Sequence, residues 1–185
     1  MENQPPALDE LRQLEREFYK IDEDVIERMR RNKPRLLRYA TAALETIFDH
    51  LDSHPLVADY FSDEANIAPL KSAMLAHCNT VLSVRFDLEY YSEASQIGLR
   101  HSKLDYPSFV YSAAYTNMLS SMKAQALRDR NPLKAADLEA LDRIAFYDLE
   151  LTQAAFFQHK IEKATALNAD TAKVRALLDD EADAA

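Results

Sequence analysis

IGLRHSKLDYP, residues 97–107, sets the chain's one glycine three positions ahead of a histidine, inside a stretch that otherwise reads as helix. Tyr90, Ala94, Ile97 and His101 recur at spacings of four, three and four, so Phe86 to His101 is predicted as one helix with these side chains on a single face. A glycine inside a helix costs about 0.5–1 kcal/mol relative to alanine. Gly98 lies on nearly the same face as His101, and its missing side chain lets a flat ligand or a neighbouring helix come close. Tyr106 and Pro107 then break the helix.

Outward from this stretch the chain is helical in both directions. One Gly and no Trp occur in 185 residues, 48% of which are hydrophobic, so helix formers dominate and hairpin turns have little material. The length suits one domain with a substantial core. Residues 5–20 predict a short amphipathic helix carrying Leu8, Leu11, Leu14 and Phe18. Asp22 caps a second helix to about Arg31, and Pro34 opens a third whose apolar stripe includes Leu37, Ala40, Leu44, Ile47, Phe48 and Leu51. Ser53, His54 and Pro55 end it. After a turn containing Tyr60 and Phe61, Pro69 occupies the first turn of a helix bearing Leu70, Met74, His77, Val81 and Leu82. Two long helices follow, about 107–129 and 132–168, separated by Asn131 and Pro132. The expected organisation is a helical extension over 1–20, one domain over 21–168, and a partly disordered tail over 169–185 that adds at most a weak helix.

The formal charge of −9 argues against a nucleic-acid partner, because phosphate backbones need clustered Lys and Arg. Arg28, Arg30, Arg31, Lys33, Arg35 and Arg38 do form a basic run, but Asp22, Glu23, Asp24 and Glu27 adjoin it, and it is expected to be a solvated, salt-bridged face. Cys78 is alone, so no internal disulfide forms and a reducing cytoplasm is the expected setting. No signal peptide and no membrane-spanning run is apparent, and no membrane partner is expected.

The segments LKSAMLAH (70–77), Tyr91, IGLRHSKLDYP (97–107) and Tyr115, in that order and spacing, resemble the core of globin-coupled sensors and their single-domain relatives. Ile97, Gly98, His101, Lys103 and Pro107 fill the places of that family's pattern, and IFDHLDSHPLVADYF (47–61) is similar to its helix end and following loop. The resemblance runs from about residue 20 to 165. It implies an all-α, globin-like fold with an additional N-terminal helix and two long final helices, binding haem b, with His101 as the protein ligand to iron. A diatomic gas, O2, NO or CO, is the implied ligand. A neutral imidazole suits this role, one nitrogen ligating while the other is held by an acceptor.

The resemblance also implies the cofactor's surroundings. Phe48 falls where these sensors usually carry a Tyr whose hydroxyl donates a hydrogen bond to the gas ligand, and Phe has none to give. Leu51, Phe61, Leu70 and Met74 are candidates for the distal wall, His77 for a place beside it, and Ile97, Gly98, Tyr111 and Tyr115 for the His101 side; the same apolar residues also suit ordinary core. His50, His54 and His159 are expected to be surface or capping residues, and Cys78 a small buried hydrophobe. The last two helices carry more apolar residues than one face can bury, among them Phe109, Val110, Met118, Phe146, Phe157 and Ile161. A homodimer through these helices is expected, with signalling to an output partner. Two alternatives stand beside the gas sensor: a globin-fold module holding a bilin or no pigment at all, and a haem redox enzyme.

Overall fold

The computed structural model describes the backbone of residues 7–61, 64–104 and 107–183, and side chains over the same ranges except at 60, 64–66, 170 and 172–183. The helices in chain order are α1 (Leu8–Phe18), α2 (Glu23–Ser53), α3 (Ala58–Phe61), α4 (Glu64–Val81), α5 (Leu88–Ser102), α6 (Phe109–Arg128) and α7 (Ala135–Asp183), with no strand among the described residues. The fold is all-α, as the composition implies.

The break expected between Arg31 and Pro34 does not occur. Asp22 caps α2 by accepting from the Val25 N–H at 3.0 Å, and the helix runs unbroken for 31 residues with Pro34 inside it. Proline removes the hydrogen bond to the carbonyl four residues back, here that of Arg30. Both residues are exposed, so water can serve that carbonyl, while Met29, Leu36 and Ala40 on the opposite side hold one continuous buried stripe. α4 likewise contains its proline, starting five residues ahead of Pro69, at Glu64. Tyr60 and Phe61, expected in a turn, belong to the short α3. The predicted break at Tyr106 lies outside the described residues, although α5 and α6 end and begin on either side of it. α7 starts at Ala135, just after Pro132, and its backbone crosses residue 168 without interruption.

The core lies between α2, α5, α6 and α7, with Met29, Leu36, Tyr90, Ile144 and Tyr147 almost wholly enclosed. α5 lies along α7 and α2 along α6. At Gly98 the first pair approaches closely: a Cβ added there would sit 2.2 Å from the Thr152 carbonyl oxygen, 2.9 Å from Ala155 Cβ and 3.0 Å from the Phe156 nitrogen. Of the two occupants the sequence allows beside Gly98, the neighbouring helix is the one present.

The link from α4 to α5 is bent through left-handed backbone at Val84 (φ 44°) and Phe86 (φ 51°). Such a conformation is unfavourable for a β-branched or bulky residue and is retained only where packing over-determines it. Val84 is buried, and the Phe86 ring lies 5.5 Å from Tyr90 and 5.9 Å from Tyr147, edge to face. Asp87 then caps α5, accepting from the Tyr90 N–H at 2.9 Å. This turn fixes the direction in which α5 carries His101.

α1 docks by its polar side. Arg16 donates to the Tyr91 hydroxyl at 2.5 Å, Arg12 lies over the Tyr91 ring, and Glu15 accepts from the Tyr147 hydroxyl at 3.3 Å. Leu8, Leu11, Leu14 and Phe18 consequently face outward, Phe18 at 90% exposure. Among the described residues no helix is long and apolar enough to cross a membrane.

Candidate functional site

His101 occupies the last turn of α5, half-buried, with Nδ1 2.9 Å from the carbonyl oxygen of Ile97 one turn earlier. The carbonyl can only accept, so Nδ1 carries the proton and the lone pair is on Nε2. The Tyr111 ring on α6 lies 4.4 Å from the imidazole, inclined at 55°, and limits its rotation. Burial lowers the pKa of His101, the Ile97 carbonyl opposes, and the fields of Arg100 and His77 lower it further. The ring is therefore neutral at neutral pH, oriented and in the tautomer that ligates a metal through Nε2. Among the described residues no three His, Cys, Asp or Glu side chains group to hold a metal ion.

The apolar candidates assemble on the other elements. Phe48 on α2 is buried, with its ring edge-to-face against Phe61 of α3 at 5.8 Å and the Lys71 ammonium 5.2 Å from its centroid. Lys71 also forms an ion pair with Glu45. Leu51 packs with Ile47 and Val57, and Phe61, Val110 and Met118 close that small cluster. On α4, Leu70 is exposed and Met74 half-buried, and Ile97 is half-buried on α5. The structure thus brings Phe48, Leu51 and Phe61 together and places Leu70 and Met74 on a separate helix.

His77 makes connections that the sequence did not reveal. Its Nε2 lies 3.0 Å from Oδ2 of Asp148 on α7, and its Nδ1 lies 3.5 Å from Glu93 of α5. The Tyr115 hydroxyl on α6 donates to the same Asp148 oxygen at 3.1 Å. Asp148 is fully buried, where an isolated carboxylate would be costly, so these donors are what permit it. Burial disfavours charge on His77, but the hydrogen bond and field of Asp148, with Glu93, outweigh it and raise the pKa. Burial and the same carboxylate push Tyr115 far up, keeping it a neutral donor. Since Tyr111 and Tyr115 have ring centroids 6.1 Å apart, aromatic and polar neighbours link His101 through α6 to Asp148 and His77. Asp148 is the functional candidate missed from the sequence. The readable signal was an acid on the buried face of α7, between Ile144 and Leu151.

Beside His77 and Tyr115 is a small, partly open recess of about 30 Å³ whose other walls include Cys78, Met118, Leu119 and Met122. Burial, aided by the Asp148 charge, pushes the Cys78 thiol up to about 12, so it behaves as a small hydrophobe with its sulfur 3.9 Å from that of Met118.

Compared with known families, residues 8–162 match the family model described as Protoglobin. A comparison with curated proteins finds no match.

Proposed function

Because the chain belongs to the protoglobin family, we propose that it is a haem-binding globin that senses a diatomic gas through an iron ligated by His101. The observation that carries this reading is the Ile97 carbonyl on His101 Nδ1, which gives a neutral imidazole the tautomer and orientation of an axial ligand. Haem b bound there would supply an iron on which O2, NO or CO can settle. The chain's own part is to hold and enclose it. Tyr111 restrains the imidazole, and Phe48, Leu51, Phe61, Leu70 and Met74 offer apolar surface that keeps water away. Position 48 brings no hydroxyl, so retention of O2 lacks the help a donor would give.

The signalling half of the proposal rests on exposed apolar side chains of the last two helices. Phe109 on α6 and Phe146, Phe157 and Ile161 on α7 are all about half exposed or more, a pattern that supports a homodimer through these helices. A movement at His101 would reach α7 through Tyr111, Tyr115 and Asp148 and, from the dimer helices, an output partner.

The absorption spectrum of the purified protein, with and without His101→Ala, tests the reading. A Soret band that vanishes in a folded H101A variant is expected; a Soret band unchanged in that variant would remove His101 from the site. A second reading, a globin-fold module with a bilin or no pigment, is favoured by the apolar Phe48–Phe61 contact where a donor would serve a gas. Red absorbance or a colourless protein would support it instead.

A further inference from the structure

We propose that the junction of α2 with the start of α7 is a binding site for a small phosphorylated molecule bearing two or more phosphate groups. Arg28, Arg31, Asn32 and Arg35 fall at i, i+3, i+4 and i+7 on α2 and so form one stripe along the helix. With Asn131, Pro132, Lys134 and Asp137 they line a cleft of about 560 Å³, within the size range of small-ligand pockets, roughly 300–1,000 Å³. Arg28, Arg31, Arg35 and Lys134 line it with one carboxylate, Asp137, while Asp24 and Asp129 at its margin pair with Arg28 at 2.6 Å and Arg35 at 3.7 Å, in a chain whose net charge is −9. The sequence alone reads this basic run as a solvated face; the fold makes it concave.

The cleft is held in shape by buried groups. Asp137, 6% exposed, accepts from Arg31 at 3.1 Å and Arg28 at 3.4 Å through one oxygen, and from the Lys134 backbone N–H at 3.2 Å through the other. Asn32, equally buried, donates to the Arg28 carbonyl at 3.0 Å. Arg35 donates to the Asn131 carbonyl and the Tyr39 hydroxyl. Each guanidinium has five N–H donors in a fixed fork, and these contacts, with Arg28 to Asp24, engage only some of them. Planar donors of this kind suit phosphate oxygens two at a time. Lys134 immediately precedes α7 and Asp137 lies in its first turn, so the positive end of a 49-residue helix adds to the field. Asp137 neutralises part of the charge and pre-positions two arginines, so a multiply charged anion gains more than a single carboxylate would.

Isothermal titration of the full chain with inorganic triphosphate, ATP, inorganic phosphate and an oligoglutamate peptide tests this site. Saturable binding of triphosphate or ATP is expected, tighter than inorganic phosphate and about tenfold weaker in Arg31→Ala/Lys134→Ala, since losing charge-assisted contacts costs at least that much. ATP binding more tightly than triphosphate would mean that the cleft also recognises the nucleoside. Both substituted residues are exposed, and an unchanged melting temperature of the double variant shows that its fold is intact. Binding retained in His101→Ala keeps the result independent of any pigment. Absence of triphosphate and ATP binding, equal binding by the double variant, or tighter binding of oligoglutamate would each overturn the proposal.

Discussion

Replacing Gly98 with alanine sets the packing of α5 on α7 against helix propensity, and the two predict opposite signs. The new Cβ would lie 2.2 Å from the Thr152 carbonyl oxygen and 2.9 Å from Ala155 Cβ. Ordinary contacts between non-bonded heavy atoms fall near 3.5 Å, so the helices must part locally by about 1 Å. Overpacking of this kind costs about 1–3 kcal/mol, and the upper end applies because the obstacle is backbone, with no side-chain rotation to relieve it. Alanine returns about 0.5–1 kcal/mol of helix propensity. The net loss is about 2 kcal/mol, which for a domain of this size lowers the melting temperature by about 4–8 °C. Urea denaturation followed by circular dichroism measures the first quantity and a thermal scan the second. Thr152→Ser should not rescue the variant, since the nearest atom belongs to the main chain. A G98A protein as stable as the parent, or more so, would refute the close approach; unchanged stability with lost pigment would assign the glycine to a flat ligand.

Phe48→Tyr should slow oxygen release by about fivefold, the worth of one hydrogen bond near 1 kcal/mol, with CO release changed less, in stopped-flow measurements of the pigmented protein; unchanged O2 kinetics would remove position 48 from the distal side. His77 meets Asp148 of α7, which also accepts from Tyr115 of α6, and Glu93 of α5, and its folded pKa is raised above the ordinary histidine value. Its contribution to stability is therefore complete below about pH 6.5 and lost as pH rises through the folded value. Subtracting urea titrations of His77→Gln from those of the parent should give a difference that shrinks over that window, whereas a difference growing with pH would contradict the ion pair. Cys78, with its thiol pushed up to about 12 and buried, should resist a thiol reagent such as dithionitrobenzoate in the native protein and react promptly in guanidinium. Rapid labelling of the folded chain would show that α4 opens from α6.

Local chemistry carried much of this fold. Asp22 announces a helix start, and the four-three-four spacing of Tyr90, Ala94, Ile97 and His101 places the histidine at the end of α5, because capping and periodicity act between near neighbours in the chain; the Asp87 cap, just after the expected start at Phe86, emerged only in the structure. The family pattern around Gly98 and His101 was legible for the same reason, and residues 8–162 match Protoglobin. Pro34 was misread because its cost depends on which side of α2 it occupies, and that side is set by the helices packed opposite. α1 displays a stripe that looks core-facing, yet Arg12, Glu15 and Arg16 find partners on α5 and α7 and turn the leucines outward.

The sequence by itself therefore determined most of the helix pattern, since capping and periodicity act within a few residues, whereas the ligand role of His101 is what the resemblance to the family implies. Tertiary structure alone decided that α7 fills the space beside Gly98, that Asp148 gathers His77 and Tyr115, and that three arginines of α2 converge on the start of α7. Those pairings join residues 33 to 109 positions apart, and only the packing of whole helices brings them within reach.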